Sequence, residues 1–220
     1  MGHIKDLQKS LLNEISKRIV KYGFDGKPKG QSFYKPIASG CQSFTPSFIN
    51  HKTDVDVTGN VAVRFDALED LINEYRPYLT KAQKKYTASL GVELGNLGEG
   101  AQKRWVLADL DDAGEVAEEI LDYFAKVGLP YLEKYSDMEA ALDALSANDR
   151  GWLYSPFPDE RAKRAIGLAF LLGNKERFFE IAAAKTEFLT SRNEQGLDTF
   201  LKIKSDLEKR LKASKAHSSK

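Results

Sequence analysis

A single cysteine, Cys41, stands in 220 residues, so no intrachain disulfide can form and the chain fits a reducing compartment. Net charge is scarce too: 33 lysines and arginines oppose 32 acids, which excludes a global field toward nucleic acid or an anionic membrane. No run of about 18 apolar residues occurs, and no membrane span is expected. Met1 to Ser10 lacks the apolar stretch of a signal peptide, which points to a cytoplasmic protein. Only three histidines are present, and His3 and His217 lie near the ends, leaving His51 as the one base that could serve Cys41. Nucleophile-elbow, kinase and zinc-protease signatures are missing. Gly91, Gly95, Gly98 and Gly100 match neither a dinucleotide fingerprint nor a P-loop. We therefore expect no catalytic residue, no metal and no cofactor.

What is present is strong local patterning, with 42% hydrophobic residues to supply a core. Ile4, Leu7, Leu11, Ile15 and Ile19 form one stripe of an opening helix that should stop at Gly23. Phe33, Tyr34 and Ile37, then Phe44, Pro46 and Phe48, read as strands, with Pro46 demanding an edge or a bulge. Thr58-Gly59-Asn60 is either a hairpin turn or a glycine bulge in one long strand. Val61, Val63 and Phe65 alternate with polar or small residues, as do Tyr86, Ala88, Leu90, Val92 and Leu94, and a short apolar strand is expected over Arg104 to Leu110. Asp66 with Glu69, and Ser136 with Glu139, have the spacing of capping boxes. The polar Thr80 to Lys85 segment should be exposed. Val116, Ile120, Tyr123, Phe124 and Val127 predict a helix closed by Gly128 and Pro130.

From Ser136 onward the pattern is helical. Pro158 suits a first helical position, Gly173 a stop and Asn174 a cap. The expected fold is α+β, an antiparallel sheet with packing helices in the N-terminal half followed by an all-helical C-terminal half. The expected division is an α+β domain over residues 1–147, a helical subdomain over 148–213 packed on it, and a flexible tail over 214–220.

Three groups carry chemistry of interest. His51, Asp54 and Asp56 are types that hold divalent metals, but in an extended strand His51 points away from the two acids and convergence would require a turn or bulge between them, so no metal is expected there. The acids Asp109, Asp111, Asp112, Glu115, Glu118 and Glu119 suit the positive end of a helix and its solvated face. The best binding segment runs from Gly151 to Arg164: Trp152 and Tyr154 precede Arg161 and Arg164, joining aromatic area to guanidinium groups. In the other reading of that segment the aromatics plug the join between sheet and helices while the arginines stay solvated.

Gly23-Phe24 before Phe33-Tyr34, Val61 to Phe65 running into Asp66-Ala67-Leu68-Glu69, the strand around Trp105, and Gly128-Leu129-Pro130-Tyr131-Leu132 together resemble the bacterial family called domain of unknown function forty-three-oh-four, over about residues 4–145. That resemblance implies no established activity and suggests a part in toxin–immunity or defence systems. The expected function is a non-enzymatic factor that binds another protein, with no membrane partner; nucleic-acid binding ranks third and would need lysines and arginines from distant segments to form one stripe. The alternative is an enzyme or small-ligand binder with a pocket near Trp152 to Arg164.

Overall fold

The computed structural model describes residues 2–99, 102–148 and 153–217. The fold is α+β, with 57% of the chain helical against 17% in strands, so helices build most of it. The chain forms two compact units, one of residues 1–63 and 91–136, the other of residues 64–90 and 137–220. Each is assembled from two separated stretches, a division that differs from a single cut at residue 147.

In the first unit, helix α1 (Gly2–Ile19) buries Leu7, Leu11, Ile15 and Ile19 completely. A 3-10 turn, Val20–Tyr22, carries it into Gly23, whose φ of 83° lets its N–H reach the Val20 carbonyl without a Cβ clash. Strands β1 (Phe33–Ile37), β2 (Gly40–Asn50), β3 (Val55–Phe65), β4 (Leu90–Glu93) and β5 (Trp105–Leu107) form one antiparallel sheet in the order β1-β2-β3-β4, with β5 also on β3. Phe33 lies opposite Phe44, and Val55 and Val57 lie opposite Leu107 and Trp105. The β1 register ends at Phe44, so Pro46 sits past it, where a missing N–H costs no ladder bond to β1. Residues 58–60 continue one strand rather than turn. A Cβ on Gly59 would stand 2.9 Å from the Phe44 ring, which is why glycine occupies it.

Helix α4 (Ala113–Tyr123) packs on α1 and does not end at Gly128. Five residues, Phe124–Gly128, widen into a π-turn in which Leu129 N–H bonds the Phe124 carbonyl, and α5 (Leu129–Tyr135) follows directly. Pro130 lacks an N–H for the preceding turn, and the widened turn accommodates it without stopping the helix. Phe124 is the hub of this core, with its ring 4.9 Å from Phe44 and 5.6 Å from both Tyr22 and Phe24.

The second unit holds α2 (Asp66–Asn73), α3 (Lys81–Lys84), α6 (Met138–Ser146), α7 (Pro158–Leu171), α8 (Lys175–Ser191) and α9 (Leu197–His217). Helix α7 packs against α2, α6, α8 and α9, so every residue from Arg161 to Ala169 is buried. A helix with neighbours all round has no solvated face. Pro158 opens it, Gly173 follows its end with φ of 71°, and the Asn174 side chain accepts Arg177 N–H at 3.1 Å.

Both expected capping boxes are corrected. Phe65, with an extended backbone, precedes α2 and gives no side-chain cap, while Glu69 is buried against arginines. Helix α6 is capped by Asp137, which accepts Ala140 N–H at 2.8 Å; Ser136 instead donates to Leu132 O at 2.6 Å, and Glu139 pairs with Arg177. A true box sits in the Thr80 to Lys85 segment, which is largely exposed, as expected, but also starts a short helix: Gln83 N–H bonds Thr80 Oγ1 and Thr80 N–H bonds Gln83 Oε1. Strand alternation also begins later than Tyr86, because Arg64 takes the Lys84 and Thr87 carbonyls at 3.1 and 2.8 Å.

Candidate functional site

Trp152 lies outside the described residues. Tyr154 is half-buried, and Phe157 at the start of α7 is exposed. Arg161 and Arg164, expected on a solvated face, are both buried because α7 is the central helix of its unit. One turn apart, they serve different ends.

Arg164 belongs to a closed ion network. Its Nε lies 2.8 Å from Glu69 Oε1 and its Nη1 2.7 Å from Glu160 Oε2. Arg76 completes the ring through Glu69 at 3.6 Å and through Glu160. Lys163 bridges Asp159 at 2.6 Å and Glu160 at 3.1 Å. Burial would raise the Glu160 pKa, but Arg164, Arg76 and Lys163 outweigh it and hold the carboxyl at about 2. Glu69, Asp159 and Glu160 balance Arg76, Lys163 and Arg164 one for one. The cavity beside the network, about 50 Å³ between Tyr75, Arg76, Glu160 and Thr199, therefore needs no outside ion.

Arg161 turns toward α8 and finds a different environment. Its Nη1 donates to the Ser155 carbonyl at 2.6 Å, and its Nε is buried with no hydrogen-bond partner. Lys185 on α8, only 2% exposed, donates from Nζ to Asn148 Oδ1 at 2.7 Å and the Ala147 carbonyl at 3.2 Å. Burial and then Arg161 push the Lys185 ammonium down to about 8. Burial first, then Arg192, also lowers the Arg161 pKa. Arg192 and Lys185 both lie over the Phe188 ring, at 5.4 and 5.8 Å. The acids near Arg161 are already engaged, Glu194 by Arg192 at 3.1 Å and Asp159 by Lys163. Among the described residues, neither Arg161 nor Lys185 has an ion-pair partner. Arg161 Nε is buried without a partner, and the two bonds of Lys185 Nζ use two of its three N–H groups.

Lys185 escaped the sequence reading, although its signal was there. Phe178, Ile181, Ala182, Lys185 and Leu189 are the buried residues of α8 and follow a single helical stripe, so a lysine occupies a core position.

The remaining motifs separate clearly. Cys41 lies at the start of β2 and His51 just past its other end, about 30 Å away at the rise of a β-strand, so they form no nucleophile–base pair. Glycines 91 and 95 let Ala62 and Lys103 approach closely; they serve packing and form no phosphate cradle. His51 does not point away from both acids. Residues 51–54 form the turn between β2 and β3, with His51 N–H on the Asp54 carbonyl at 3.0 Å. One ligand atom each from His51, Asp54 and Asp56 then fall within 4.8 Å of one another, and His51 Nε2 stands 3.4 Å from Asp56 Oδ2. Strand parity fails as an argument because His51 is not in the strand.

No helix among the described residues is long and apolar enough to cross a membrane. Comparison of the chain with protein-family models, curated proteins and solved structures gives no match.

Proposed function

We propose that the protein binds a small anion, a carboxylate- or phosphate-bearing molecule, at Arg161 and Lys185. The observation that carries this reading is the charge imbalance. Arg161 and Lys185 are buried cations that act on one another and have no ion-pair partner among the described residues, whereas the other buried cations on α7, Lys163 and Arg164, are each paired with acids. An uncompensated buried charge is expensive, and an anionic ligand removes that cost. Arg161 Nε presents one edge of a guanidinium fork, the group best suited to a carboxylate or phosphate. Asn148, which accepts from Lys185 Nζ, is exposed.

The test is a titration with phosphate, sulfate and citrate at constant ionic strength, followed by thermal melting and calorimetry. A saturable rise in melting temperature is expected, lost in Arg161→Leu and in Lys185→Met. Affinity should fall as pH climbs through about 8, because the free Lys185 ammonium gives up its proton there while Arg161 and Arg192 stay charged. An equal shift with chloride, or undiminished binding in both variants, would overturn the proposal.

A protein partner, including the immunity or accessory role implied by the family resemblance, is favoured by one observation: Phe157 is 61% exposed at the entry to α7. Loss of a co-purifying protein on Phe157→Ser, with anion binding intact, would support that second reading.

A further inference from the structure

The geometry points to a divalent transition-metal site, of zinc type, in the turn between β2 and β3, with His51, Asp54 and Asp56 as its protein ligands. It belongs to the first unit and is independent of the anion site. The turn places imidazole and carboxylate ligands together, the mixture that zinc accepts. Two ligand atoms each about 2.1 Å from a tetrahedral metal stand about 3.4 Å apart. His51 Nε2 and Asp56 Oδ2 are separated by 3.4 Å, so that edge of the polyhedron is already formed.

Asp54 has further to move, since the three ligand atoms span up to 4.8 Å. It lies on the turn itself, where Thr53 Oγ1 donates to its Oδ2 at 3.1 Å and orients the carboxylate. Three protein ligands leave a fourth position to water, the arrangement of an open rather than a structural site. Calcium and magnesium demand more oxygen ligands than the turn supplies. One group opposes the metal: Arg104, next to β5, holds its Nη1 3.8 Å from Asp56 Oδ2. It is 43% exposed and held otherwise by a long bond to Gln102 Oε1 at 3.4 Å, so it acts as a displaceable competitor for the same oxygen.

The experiment titrates Zn2+ into the full chain carrying Cys41→Ser, which removes the thiol as a rival ligand, after dialysis against a chelator. Calorimetry should show saturable one-to-one binding that calcium and magnesium do not reproduce. Both His51→Ala and Asp54→Asn should weaken it by about tenfold or more. Arg104→Ala should tighten it by about fivefold, because a cation next to the metal is gone. Melting curves show whether each variant is folded, and His51, Asp54 and Arg104 are exposed or half-buried, so their replacement leaves the core untouched. Absence of saturable zinc binding, equal binding in His51→Ala, or weaker binding in Arg104→Ala would overturn the proposal.

Discussion

Arg161 and Arg164 are the same residue type, one turn apart on one helix, and both are about 5% exposed. Their energetic roles are opposite. Removing Arg164 strands Glu69, which is fully buried and among the described residues would keep only Arg76 at 3.6 Å as an ion-pair partner. The expected cost of Arg164→Ala is about 3–5 kcal/mol. Arg161→Ala removes a charge that has no ion-pair partner among the described residues and a buried Nε without an acceptor, so its expected cost is under about 1 kcal/mol. Urea midpoints of the two variants decide this; equal losses would mean that the Arg161 charge is matched after all. The sequence marked both arginines as interesting but could not tell them apart, because the acid that distinguishes them, Glu69, lies 95 residues away in the chain.

At the scale of elements, the local signals that proved right are those in which a residue acts on its own backbone. Gly23, Pro158, Gly173 and Asn174 each delimit a helix where the sequence placed them. The capping boxes were displaced because the carboxylate of each expected box is taken by an arginine, Glu69 by buried Arg164 and Arg76, and Glu139 by half-buried Arg177. Gly128 and Pro130 mislead for a related reason: Gly128 serves close packing here instead of a left-handed stop. A Cβ on Gly128 would stand 2.7 Å from the Phe124 ring and 2.9 Å from Leu94. Gly128→Ala should therefore lose about 1–3 kcal/mol despite the better helix propensity of alanine, and Asp137→Ala should lose about 0.5–2 kcal/mol through its cap. Chemical denaturation measures both; a stabilised Gly128→Ala would show that the π-turn relaxes to an ordinary helix.

For the whole molecule, each site draws its residues from one compact unit, the anion site from residues 137–220 and the metal site from residues 1–63. Hydrogen exchange should therefore separate them. Phosphate should slow amides over residues 155–161 and 185–192, zinc should slow those over residues 51–57, and protection by either ligand at the other's segment would show that the two sites are coupled. The sequence by itself determined the α+β class, the helical stripes, most helix ends and the Pro46 constraint, because those follow from backbone dihedrals and from periods of two and 3.6 residues. Only the tertiary structure decided that α7 is enclosed on all sides, that Lys185 sits in the core beside Arg161, and that His51 returns to Asp56 through a turn. The physical reason is that periodicity tells which residues share a face, whereas burial, charge matching and ligand convergence depend on which distant segment comes to cover that face.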